Sequence, residues 1–161
     1  MADVSLWPAV VDALLALCTA ALPDRAVIDG PGPEGDDAEH YLFIGMGDPR
    51  RDDSDAGKFD QDWPKVTTQS RNETGTVNCI ALSYEGSDGA EGQRAAREGC
   101  FETIAAVQRL MHHDTRLGDV DGLISTSFTG GLPDQVQTSR GAACAVRFSV
   151  DYSARIQQEG A

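Results

Sequence analysis

The sequence predicts an α+β fold: an antiparallel or mixed β-sheet with a long C-terminal hairpin, packed against two amphipathic helices. Three observations carry that expectation. From Cys144 to Ile156 every even position is apolar or small, while the odd positions from Arg147 onward (Ser149, Asp151, Ser153, Arg155) are polar. Successive side chains of a strand point to opposite faces, so this segment is one ribbon with a buried face and a solvated face. At ~3.3 Å per residue it runs roughly 40 Å, far beyond a strand of ordinary length. Residues 5–22 and the stretch from about Ala90 to His113 instead repeat their apolar side chains at spacings of three and four, the period of a helix with one buried side. Finally, the chain is 161 residues long, which suits one domain over 1–161 with a core of its own.

The elements follow in order. Ser5 is the expected N-cap of the first helix and Pro8 sits in its first turn. Trp7, Val10, Val11, Leu14, Leu15, Cys18 and Leu22 form its apolar face, and Pro23 stops it. Ala26 to Ile28 and Tyr41 to Ile44 read as a hairpin, or as neighbouring strands joined by the Gly/Pro/Asp-rich connection from Gly30 to Asp37. Gly45 to Trp63 has the composition of an acidic flexible loop, with Phe59 and Trp63 pinning its end. Two strands are expected next, Lys65 to Arg71 and Thr76 to Glu85, joined at Asn72-Glu73-Thr74-Gly75; the second is apolar on both faces, as a covered central strand is. The second helix carries Cys100, Phe101, Ile104, Val107 and Met111 on one side, and a Gly-containing turn over Asp114 to Asp121 ends it. Leu123 to Phe128 then starts a strand that Gly130-Gly131 and Pro133 interrupt and Val136 to Thr138 resumes. Ser139-Arg140-Gly141 turns the chain into the final ribbon.

Charge and cysteine content narrow the function classes. The formal net charge is −13, and residues 29–62 hold eleven acids against three bases, which is eight of those thirteen charges. Such a surface repels phosphate backbones, so specific nucleic-acid binding is disfavoured, while basic partners or a passage that DNA must traverse without sticking remain compatible. Cys18, Cys79, Cys100 and Cys144 lie far apart with no C-x-x-C pair and read as reduced, buried thiols of a cytosolic protein rather than a zinc set or a disulfide framework. The apolar run Val10 to Leu22 has no preceding Lys or Arg and carries Asp12, unlike a secretory leader, and no stretch approaches the about twenty apolar residues of a membrane span.

Each motif with a chemical reading is better explained by structure. Gly30-Pro31-Gly32-Pro33-Glu34-Gly35 matches G-x-G-x-x-G, but its prolines and acids offer pyrophosphate neither a helix N-terminus nor positive potential. Asp52-Asp53-Ser54-Asp55-Ala56-Gly57 resembles part of a calcium loop with its glycine one place early and no bidentate acid at the required spacing. His112-His113-Asp114 stands at a helix end, where imidazolium complements the helix dipole. No catalytic, cofactor or metal residue is therefore assigned, and the chain is expected not to be an enzyme and to need no cofactor.

The order of elements, the helix ending in Asp114-Thr115-Arg116-Leu117-Gly118-Asp119-Val120, and the hairpin finishing in Val146-Arg147-Phe148-Ser149-Val150-Asp151-Tyr152 resemble the tail terminator proteins of long-tailed, siphovirus-type bacteriophages. The resemblance covers most of the chain. It implies a structural virion protein that forms a homohexameric ring at the head-proximal end of the tail and is assembled in the bacterial host cytoplasm. The ring caps the tail tube and gives the head its docking surface. The implied partners are other copies of the chain, the tail tube protein and a head-completion or connector protein, with DNA passing through unbound and no membrane involved. In that setting Asp48, Asp52, Asp53 and Asp55 are expected to face the lumen or a neighbouring subunit. Two alternatives stand beside this reading: a head-closure or tail-completion connector subunit, and a small acidic inhibitor or immunity-type protein whose Asp-rich loop covers a basic site.

Overall fold

The computed structural model describes residues 4–32, 38–47, 55–63, 70–86, 89–139 and 141–157. Within them the chain runs α1 (Trp7–Ala21), β1 (Ala26–Asp29), β2 (His40–Ile44), β3 (Gly57–Asp62), β4 (Ser70–Glu85), α2 (Gly89–His113), β5 (Leu123–Thr138) and β6 (Gly141–Gln157). The strands form one mixed sheet in the order β1-β2-β4-β6-β5, and β3 lies beside β4 on the same side as β2. This is the α+β fold with a C-terminal hairpin on two helices that the sequence predicts.

The spine of the sheet is the antiparallel pair β4 and β6, in register from Ser70↔Gln157 to Glu85↔Ala142. Along β6 the even side chains from Ala142 to Ile156 are buried, as the alternation requires. They share a face with Arg71, Glu73, Val77, Cys79 and Ala81 of β4, and both helices pack there. From α1 come Val10, Val11, Leu14 and Cys18; from α2 come Ala96, Cys100, Ile104, Val107 and Met111. Phe101, expected on the buried side of α2, is 45% exposed, because the helix turns it away while Thr103 is buried in its stead. Thr103 is held by Arg25, whose Nε donates to its hydroxyl at 2.6 Å.

The N-terminus of α1 is fixed by one buried acid. Leu6, not the expected Ser5, is the N-cap of α1 and gives it no side-chain cap bond; Ser5, one residue earlier, accepts from the Trp7 N–H at 3.0 Å and in turn donates to Glu73 Oε1 at 2.9 Å. The same oxygen accepts from the Leu6 N–H at 3.0 Å and from the Tyr152 hydroxyl at 2.8 Å, and Gln61 Nε2 donates to Oε2 at 2.7 Å. Thus α1, β3 and β6 are tied to β4 through Glu73, itself 1% exposed. Gly75 makes this possible. A Cβ there would come within 2.4 Å of the Tyr152 ring, which crosses β4 at that point to reach the acid.

Several boundaries differ from the sequence expectation. β1 and β2 are neighbours but pair parallel, so they are not a hairpin; parallel strands need a long connection, and residues between Asp29 and His40 supply it. The turn expected at Asn72-Glu73-Thr74-Gly75 is instead part of one continuous strand, since Glu73 faces the core and Gly75 accommodates a ring rather than a reversal. Residues 64–69, part of the strand expected at Lys65 to Arg71, lie outside the described residues. The stretch expected to be one loop, Gly45 to Trp63, contains β3, which pairs antiparallel with Asn72 to Val77. Gly130 and Gly131 do not break β5; they occupy the register shift between Thr129 and Leu132, where two residues stand opposite the single Phe148 of β6 and pairing then continues. The turn from α2 into β5 holds Leu117, Gly118 and Asp119 at φ of 51°, 77° and 62°. It is built on Asp114, whose Oδ2 accepts from the Gly118 N–H at 2.6 Å.

Candidate assembly surface

The face of the sheet opposite the helices divides into two halves. Toward β2, Tyr41, Phe43 and Ile80 are buried and form a second apolar cluster with Leu82, Tyr84, Ala145 and others. Toward β3 the face is open and polar, a shallow depression of about 460 Å³ whose lining includes Lys58, Asp60, Thr74, Thr76, Ser127 and Asp151. Register places these side chains in cross-strand rows. One runs Lys58, Thr76, Asp151, Ser127 and the next runs Asp60, Thr74, Ser153, Ser125. The rows bond among themselves: Thr76 Oγ1 donates to Asp151 Oδ1 at 2.8 Å, Thr129 donates to Asp151 Oδ2, and the Ser125 and Ser153 hydroxyls lie 2.9 Å apart. Hydroxyls and carboxylates so arranged make a hydrated surface with little affinity for phosphate.

The two sides of this half are open edges. Among the described residues β3 pairs only with β4, and β5 only with β6. Apart from Phe101 on α2, the exposed large apolar side chains among the described residues gather at these edges: Phe59, Trp63 and Val4 at the β3 corner, where the Val4 carbonyl accepts from Gln61 and Arg71, and Ile124 and Leu132 on β5. Edges of this kind invite another chain.

Of the acids expected to face a lumen or a neighbour, Asp48, Asp52 and Asp53 lie outside the described residues. Asp55 is exposed just before β3, and its carbonyl accepts from Asn78 Nδ2 at 2.8 Å. It therefore stands at the rim of the polar half, beside the β3 edge. Sequence reading alone missed that edge, because β3 (Gly57-Lys58-Phe59-Asp60-Gln61-Asp62) is solvated along its length and shows no apolar alternation.

Other groups with chemical potential are held in structural roles. His40 Nδ1 and Ser83 Oγ are 2.8 Å apart, the spacing of a base and a nucleophile, but Ser83 is 0% exposed beneath α2. The His40 ring fills the space a side chain at Gly99 would need, so the pair lets helix and sheet approach closely. This contact joins residues of three elements and has no local sequence signal. His112 and His113 occupy the last turn of α2. Burial pushes the Cys18 and Cys79 thiols up to about 12. Cys100, raised by its hydrogen bond to Cys144 and then by burial, donates to the Ala81 carbonyl at 3.2 Å. Among the described residues no group of three or more His, Cys, Asp or Glu is placed to hold a metal ion, and no helix is long and apolar enough to cross a membrane.

No protein-family model matches the chain, and no curated protein matches it. Among solved structures it is similar to a chain described as the virion of a native gene transfer agent (GTA) particle, with 13% sequence identity and a TM-score of 0.57. The superposition covers 96% of this chain and 99% of that one. At such identity the likeness is one of fold, and the chain shares that fold with a protein of a virion particle over nearly the whole of both.

Proposed function

We propose that the chain is a structural virion protein of a phage-type particle, a tail terminator that forms a ring on the end of the tail tube and offers the surface to which the head docks. The observation that carries this reading is the fold likeness to a virion chain over nearly the full length of both chains. The position at the tail end rests on the resemblance of the Asp114 to Val120 turn and the C-terminal hairpin to tail terminators. Two features of the site agree with it. The open edges at β3 and β5 suit self-association, and the polar half-face with its surplus of acids suits a passage through which DNA moves without adhering. In this reading Asp48, Asp52, Asp53 and Asp55 face the lumen or the neighbouring subunit, the protein works in the virion without enzymatic turnover or cofactor, and its partners are its own copies, the tube protein and a head-completion protein.

Deleting the gene from the particle that encodes it tests the assignment. The expected result is intact, filled heads beside tails that are overlong or fail to join them. Heads that lose their DNA while tails of normal length accumulate would reassign the protein to the head-closure connector. Normal tails and full infectivity would overturn the virion reading and favour an acidic inhibitor.

A further inference from the structure

The two open edges stand at the same level of the sheet. β3 pairs with Asn72 to Val77 of β4; those residues pair with Val150 to Arg155 of β6; and β6 there pairs with the start of β5, Leu123 to Phe128. Across this band of four strands every pairing is antiparallel, so β3 and β5 run in opposite directions. Placing the β5 edge of one copy against the β3 edge of another therefore continues the alternation, in the pairing mode that is more stable per residue.

The sequence of β5 fits that use. Ser125-Thr126-Ser127-Phe128-Thr129 contains no charge, no proline and no glycine, whereas solvent-facing edges are ordinarily blunted by such residues. β5 is blunted at its start by the register shift between Leu123 and Ser125, and further along by the shift after Thr129, by Pro133 and by Asp134. The regular stretch between the two shifts, Ser125–Thr129, is level with β3, and its five residues lie within the length of the six of β3. Charge agrees. β3 carries Asp60 and Asp62 against Lys58, and the row Asp62, Asn72, Arg155 sets an exposed acid at one edge and an exposed arginine toward the other.

We infer that copies of this chain join edge to edge, Ser125–Thr129 on β5 of one copy pairing antiparallel with Gly57–Asp62 on β3 of the next. The contact uses a different surface on each partner, so each copy keeps one edge of each kind open, and a closed ring satisfies them all. The inference rests on the self-assembling part of the proposed function and not on the ring's place in a particle.

Exposed thiols test it, because the native cysteines are at most 2% exposed and stay silent toward a short bismaleimide. Ser125→Cys and Ser127→Cys mark the open face of β5, and Lys58→Cys and Asp60→Cys mark the same face of β3, two positions on each side to allow for a shift of register. Mixing a β5-marked chain with a β3-marked chain should give crosslinked heterodimers, while either chain alone gives none. Ile124→Lys with Ser127→Lys should reduce the particle mass in light scattering to that of a monomer, with an unchanged circular dichroism spectrum. Self-crosslinking of a singly marked chain would contradict the inference in favour of a two-fold contact. An oligomer with no β3 to β5 crosslink in any combination, or one untouched by the two lysines, would overturn the edge pairing and leave the ring reading standing. A monomer at every concentration would overturn both.

Discussion

Four hydrogen bonds converge on the carboxylate of Glu73, and every partner is a donor: the Ser5 and Tyr152 hydroxyls, the Leu6 amide and the Gln61 side-chain amide. Removing the acceptor strands all four where water reaches poorly. Glu73→Ala is therefore expected to cost about 3–5 kcal/mol in urea denaturation, and Glu73→Gln less, since it keeps one acceptor oxygen. A loss under about 1 kcal/mol for the alanine variant would show that the junction is not holding α1. Tyr152 adds a pH signature. Burial, then the hydrogen bond and charge of Glu73, raise its phenol above the ordinary tyrosine range, so the fold favours the protonated ring. That contribution is complete below the unfolded value of about 10 and is lost as pH rises from there through the folded value. The stability of wild type relative to Tyr152→Phe should then be constant up to about pH 10 and decline above it; a constant difference through pH 12 would contradict the assignment. None of this was legible in the sequence. Glu73 sat in what reads as a turn, and its partners are up to 79 residues away.

At the scale of elements, legibility followed periodicity. The final ribbon, both helices and the hairpin between β5 and β6 were readable because one face of each is buried and the pattern repeats over many residues. β3 was not readable, because an edge strand wet on both faces carries no alternation, and the parallel pairing of β1 with β2 was not, because short apolar runs do not encode direction. The face assignment of β6 predicts the effect of Phe148→Asp. Phe148 is 3% exposed and stacks on Phe128 with ring centroids 5.0 Å apart, so the substitution buries an unpaired charge. A cost above about 4 kcal/mol, enough to abolish the cooperative melting transition of a marginal domain, is expected. An undiminished transition would mean the side chain points to solvent. For β3 the prediction concerns amide exchange in the isolated chain. Amides bonded to β4 should exchange more slowly than those of Asp55 and Ala56 but faster than those of the β4 segment Val77–Ser83, which is paired on both sides. Exchange as fast as in an unfolded peptide would show that the strand is absent until assembly.

For the whole molecule, the candidate site was legible in sign but not in place. The excess of acids over residues 29–62 announces an acidic surface, whereas the polar rows of the open face and the two level edges arise from register between strands whose paired residues lie up to 87 apart in sequence, as Ser70 and Gln157 do. No single segment contains them. What joins these features is the idea of a virion subunit that assembles with copies of itself, and its mass in solution tests that idea most directly. Light scattering of the purified protein over a concentration series, followed by electron microscopy of the largest species, should show closed rings of six subunits with an open centre. A monomer at every concentration, with or without tube protein present, would contradict the account.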